Sequence, residues 1–125
     1  MTNYQVGDFL IRLKNAAMAG IKVVEFKKIK LVLDVAKTLK DEGFLESIEE
    51  EKGMLKVRLT IFKKKPVISN VTIISRPGLR IYMNVDEIEN FKKPDVLILT
   101  TPKGVMSGKK AKKLRLGGEL IAKII

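Results

Sequence analysis

Positions 99–110, LTTPKGVMSGKK, close an apolar run with two threonines, a proline and a Lys-Gly pair, and then turn basic. Three chemistries use such parts: a loop that wraps phosphate in backbone amides, a catalytic turn, and a polar surface that grips nucleic acid. The phosphate loop fails on spacing. Such a loop sets four residues between its glycines so that successive amides point inward, and follows its lysine with Ser or Thr to hold magnesium. Here three residues separate Gly104 from Gly108, and Lys110 follows Lys109. Catalysis fails on parts. Without cysteine or histidine the chain has no thiolate nucleophile, no disulfide, no imidazole base and no thiolate or imidazole metal ligand. Glu49, Glu50 and Glu51 flank a turn with nothing to make them converge, so they read as solvated turn acids rather than an acid/base pair. No catalytic residue, metal or cofactor is expected, and the chain is read as a non-enzyme.

The nucleic-acid reading has the charge it needs. Lys and Arg total 25 against 14 acids, a formal net charge of +11 in 125 residues. That sets up a positive field reaching about a Debye length, ~8 Å at physiological salt. The charge is uneven: six acids and no base lie between Asp41 and Glu51, six bases and no acid between Lys103 and Arg115. Opposed patches would orient a polyanion as well as attract it. TTPKG is at once an ordinary polar loop at a strand end and a candidate for RNA. Short hydroxyls on Thr100 and Thr101, with amides around Lys103 and Gly104, suit a wide, shallow minor groove lined by 2′-hydroxyls. RPGLRIY reads equally as a turn followed by a strand with Leu79 and Ile81 inward, and as a presentation of Arg80 to phosphate and Tyr82 to a base or ribose. Arg12, Lys14 and Asn15 make a polar helix face whose default is plain solvation.

These residues need elements to hold them. Val6, Phe9, Leu10, Leu13 and Ala17 recur with helical spacing, Thr2 or Asn3 can cap the start, and Gly20 closes the segment. A strand is expected over 21–26, then a helix with the stripe Ile29, Val32, Val35, Ala36 and Leu39, stopped at Gly43. Leu55, Val57, Leu59 and Ile61 alternate with polar residues in a hairpin turning at Lys52 and Gly53. KKKP at 63–66 breaks the pattern, and the subdomain boundary is placed there, giving 1–65 and 66–125. The second half predicts strands at 67–75, 79–82, 95–101 and 119–125, with a type II turn at Pro77-Gly78. Short helices should follow Asn84, capped with Glu87 three residues on, and Ser107, running to Arg115. No apolar stretch approaches the ~20 residues that span a bilayer, and the first residues lack signal-peptide character, so a cytoplasmic protein without membrane contact is expected.

DFLIRLKNA, LKDEGFL, SRPGLRIY, TTPKGVM before a short basic helix, and LGGEL, in this order and spacing, resemble the bacterial family of small-subunit ribosomal protein number eight. The resemblance covers essentially the whole chain. It implies an α+β fold of two abutting subdomains, N-terminal helices on a short sheet and a C-terminal, mainly β, RNA-binding part. It implies a structural protein of the ribosome that binds the central domain of 16S ribosomal RNA directly and early and helps assemble the platform. The alternative is a general nucleic-acid-binding protein or translational regulator. Implied partners are that RNA, small-subunit proteins numbers five and twelve, and the chain's own messenger RNA. The implied RNA-binding residues are Thr100, Thr101, Lys103, Gly104, Tyr82, Arg80 and Glu119, with Arg12 and Asn15 secondary. One position departs: the family usually has Ser-Thr-Ser before Lys-Gly, and Pro102 here removes a hydroxyl and a backbone donor.

Overall fold

The computed structural model describes residues 4–125. Helix α1 (Gln5–Ala19) buries Val6, Phe9, Leu10 and Leu13 and leaves Asp8, Arg12 and Asn15 exposed, as the spacing predicts, but at its end Ala16 is the buried alanine and the expected Ala17 only partly so. Gly20 ends it in the left-handed conformation, φ +73°. Thr2 and Asn3, expected as caps, lie outside the described residues; the cap position is Tyr4, whose side chain makes no capping bond. Strand β1 (Val23–Lys27) leads to α2 (Lys30–Asp41), which turns Val32, Leu33, Val35, Ala36 and Leu39 inward. Strands β2 (Leu45–Glu51) and β3 (Met54–Leu59) form the expected hairpin, and β1 joins it in the order β1-β3-β2, all antiparallel.

KKKP does more than interrupt a strand. The chain doubles back there in a small hairpin of β4 (Ile61–Phe62) and β5 (Lys65–Pro66). Beyond it come β6 (Val71–Ile73), β7 (Tyr82–Met83), α3 (Val85–Glu89), β8 (Val96–Thr101), β9 (Gly104–Ser107), α4 (Gly108–Leu114) and β10 (Gly118–Ile124). The long strand expected over 67–75 shortens to three residues: at its start Val67 bonds back to Thr60, and at its end β10 slips register between Leu120 and Ala122, where Ile74 and Ser75 both turn their N–H groups to the Ile121 carbonyl. Leu79 and Ile81 do not face inward; they are exposed, Leu79 closing a tight turn in which it exchanges backbone hydrogen bonds with Arg76, and Ile81 held to β10 through its backbone. The turn itself is as expected, with Gly78 at φ +85°. Strand β9, which falls in none of the expected elements, pairs along β8.

Strand β10 organises the second sheet. It takes β8 on one edge and both β6 and β7 on the other, in the order β6-β10-β8-β9. The bulge decides which core its residues enter. Leu120, paired with Leu99, joins Leu97, Met106, Ile88 and Ala111 in a small cluster under α3 and α4. The extra residue then lets Ile121 and Ala122 both turn to the opposite face, into a larger cluster with Phe9, Leu13, Val35, Leu39, Leu55 and Val57. The larger core is therefore shared between the first and second halves of the chain, and the whole is an α+β fold.

Candidate nucleic-acid interface

Antiparallel partners lie on the same face of a sheet. Tyr82 pairs with Glu119, Glu119 with Thr100, and Thr100 with Val105, so these four form one row across β7, β10, β8 and β9. The row borders a shallow open depression of about 710 Å³ lined by Tyr82, Asn84, Thr100, Pro102, Gly118 and Glu119 among others. The sequence singles out Tyr82 and Thr100 in separate motifs and the resemblance adds Glu119; the sheet brings them together. Tyr82 is 65% exposed, which leaves a ring face open for stacking.

Two glycines let the strands approach closely enough for this. A Cβ on Gly118 would collide with the Thr100 carbonyl, and one on Gly117 would sit 2.7 Å from the Met83 carbonyl oxygen. Ser75 holds the other side. Fully buried, it donates through Oγ to the Leu120 carbonyl at 2.7 Å and accepts the Ile81 N–H at 2.9 Å, tying the Arg80–Tyr82 segment to the bulged strand. Sequence reasoning missed Ser75, although its place at the head of SRPGLRIY was a usable signal. The helix caps were legible: Asn84 and Glu87 form a reciprocal capping box, and Ser107 accepts the Lys110 N–H.

The loop after β8 is a two-residue turn, Pro102-Lys103, between paired Thr101 and Gly104. Neither turn residue has positive φ and Gly104 has φ +111°, the pattern of a type I turn followed by a glycine bulge, in which proline suits the first turn position. Thr101 is buried. Its hydroxyl accepts the Lys103 N–H at 3.2 Å and donates to the Gly104 carbonyl at 2.8 Å, so it closes the loop from within. Thr100 is less buried and stands in the row; both threonines line the depression. Lys103 and Gly104 are exposed.

Arg80 is engaged rather than loose. Its guanidinium lies 3.1 Å from Glu119 Oε2 and 5.9 Å from the centroid of the Tyr4 ring. Burial first, and then the Glu119 carboxylate, push the Tyr4 phenol above its usual range, against the opposing pull of Arg80. Arg12 and Asn15 line a different groove, with Gln5, Asp8, Ile11 and Phe26; Arg12 donates to the Glu25 carbonyl and lies 5.1 Å from the Phe26 ring centroid. Along α4, Lys109, Lys110, Lys112 and Lys113 are exposed, while Arg115 is paired with Glu89 at 2.6 Å. The acidic and basic blocks are not wholly opposed, because Glu42 shares a surface depression with Lys109, Lys110 and Lys113.

A basic α+β chain with cations along an exposed helix and a shallow polar depression at a sheet end has the make-up of a structural polyanion binder. Residues 5–125 match the family model described as Ribosomal protein S8, and the chain belongs to that family. It is 38% identical over 120 residues to the small ribosomal subunit protein uS8 of Nitratidesulfovibrio vulgaris (strain DP4), covering 95% of each chain. It is 40% identical over 123 residues to the protein of that name from Pseudomonas aeruginosa (strain UCBPP-PA14), again over 95% of each. With the one from Acinetobacter baylyi it shares 38% over 122 residues, 94% of this chain and 93% of the relative. The family's role is structural, in the ribosome, and not enzymatic.

Proposed function

We propose that the chain is a primary RNA binder of the small ribosomal subunit, taking the central domain of 16S ribosomal RNA directly and helping to organise the platform. The observation that carries this reading is the cross-strand row Tyr82, Glu119, Thr100 beside the 101–104 loop. A broad, shallow concavity suits the minor groove of an A-form helix, where 2′-hydroxyls and base edges are within reach of short side chains. Thr100, Lys103 and Gly104 touch the groove. Glu119, an acceptor only, takes a 2′-hydroxyl or an exocyclic amine, and Arg80 holds that carboxylate in place. Tyr82 stacks on a sugar or base, and Thr101 sets the loop's shape. The lysines of α4 supply attraction without selectivity, and Arg12 and Asn15 make secondary contacts from their own groove. Residues 66–125 are the principal RNA-binding unit and 1–65 the accessory one. Small-subunit proteins five and twelve are neighbours in the assembled subunit, and the chain's own messenger RNA binds through the same surface.

The test is filter binding of a central-domain transcript. With about six phosphates neutralised, affinity should fall about a thousandfold between roughly 50 and 200 mM salt. Thr100→Val keeps shape and deletes one hydroxyl; it should cost about 1–3 kcal/mol on the cognate transcript and nothing on random RNA. A flat salt response, or equal binding to a DNA duplex of the same charge, would refute the reading.

A further inference from the structure

The hairpin β4–β5 takes no part in the site above. Phe62 is 67% exposed and belongs to neither core cluster, so its ring contributes little to folding. It is surrounded by cations instead. Lys65 is its cross-strand partner, the Lys63 Nζ lies 5.4 Å from its ring centroid, and Lys64 completes the apex. The turn is strained: Lys63 and Lys64 have φ +51° and +69°, and a two-residue loop with both residues left-handed normally takes Asn-Gly. Lysine thus stands where glycine or asparagine would fit at less cost, here at two successive positions rather than singly as at Lys52 and Arg115. From Lys52 to Val85 the chain holds eight bases and no acid.

The hairpin also lies away from the candidate site. Val67 donates to the Thr60 carbonyl beside it, and Ser69 and Asn70 donate to the Ile125 carbonyl, just past the end of β10. Glu119 is near the start of that strand, and six residues of strand span about 20 Å. One nucleotide cannot touch both.

We propose that the β4–β5 hairpin is a second, separate RNA contact, which stacks an unpaired base on Phe62 while Lys63, Lys64 and Lys65 hold the flanking phosphates. The inference rests on the reading of the chain as an RNA-binding protein and adds a contact of different kind: single-stranded, sequence-tolerant and driven by stacking. An acidic protein segment would satisfy the lysines but makes no use of the exposed ring.

The experiment uses the full-length protein and a thiouridine-bearing oligouridylate at low salt, read by affinity and by the site of photocrosslinking. Crosslinks should fall at Phe62, Phe62→Ala should weaken binding about tenfold, and Phe62→Tyr should retain it. Since the ring is exposed, the alanine variant should melt with the parent. Thr100→Val should leave the oligouridylate unaffected. Equal affinity of Phe62→Ala and parent, crosslinks confined to other segments, or polyglutamate bound as tightly as the oligouridylate would each overturn the proposal. In those cases an intact, Thr100-dependent affinity for the central-domain transcript would show that only the second contact has failed.

Discussion

Ser75 shows how much of the candidate site rests on one side chain that touches no ligand. Its hydroxyl satisfies the Ile81 N–H and the Leu120 carbonyl in a place closed to water. Removing it takes the side-chain partner from the Ile81 N–H and the Leu120 carbonyl, at a cost in unsatisfied polar groups. Ser75→Ala should lower stability by about 1–3 kcal/mol in urea denaturation, and Ser75→Thr should recover part of it if its methyl is accommodated. Residue types in this region were legible as candidates because hydroxyls, an arginine and an aromatic clustered in short motifs. Their duties were not. Thr100 and Thr101 are chemically identical neighbours that both line the depression, yet strand alternation turns them to opposite faces of the sheet, and the Thr101 hydroxyl is already engaged within its own loop. Arg80, expected to hold phosphate, meets Glu119 and Tyr4, which are distant in sequence.

At the scale of elements, signals carried by adjacent residues were readable and signals carried by partners were not. The Asn84–Glu87 capping box, the Ser107 cap, the Lys52-Gly53 turn and the Gly20 stop each need only a few residues in a row. Strand β9 was hidden because GVMS is too short to show alternation, and it becomes a strand only by pairing with β8. The bulge at Ile121 was hidden because ELIAKI is apolar enough for either register. Close pairing of β10 with β8 depends on Gly118, whose added Cβ would meet the Thr100 carbonyl. Gly118→Ala should therefore push the strands apart, cost about 1–3 kcal/mol, and weaken cognate RNA binding beyond the loss from Thr100→Val. Wild-type stability and affinity in that variant would refute the close-approach reading of LGGEL.

At the scale of the molecule, the halves share the larger core, and Tyr4 adds a polar link between them: the residue that caps α1 lies against the Arg80–Glu119 pair of the second sheet. Its phenol is raised in the folded state by burial and by Glu119. A raised group stabilises fully below its unfolded value and loses that contribution as pH rises through the folded one. The fold should accordingly weaken above pH ~10, the ordinary tyrosine value, as the unfolded chain ionises first. Tyr4→Phe should remove that alkaline loss while leaving neutral-pH melting close to the parent. Following the melting midpoint against pH for both proteins checks this, and an unchanged alkaline limb in Tyr4→Phe would sink the assignment.

What the chain settled by itself was local and statistical: a basic, α+β protein without thiol or imidazole chemistry, helix stripes and caps, turn glycines, and motifs specific enough to point to a family. These depend on composition and on interactions between residues a few positions apart, which any reading along the chain can see. Only the tertiary structure decided that Tyr82, Glu119 and Thr100 share a row, that the Thr101 hydroxyl is engaged inside its loop, and that Phe62 is left exposed among lysines. Those outcomes depend on strand pairing and on one inserted residue in β10, and the energy of such contacts comes from partners that sequence order keeps apart.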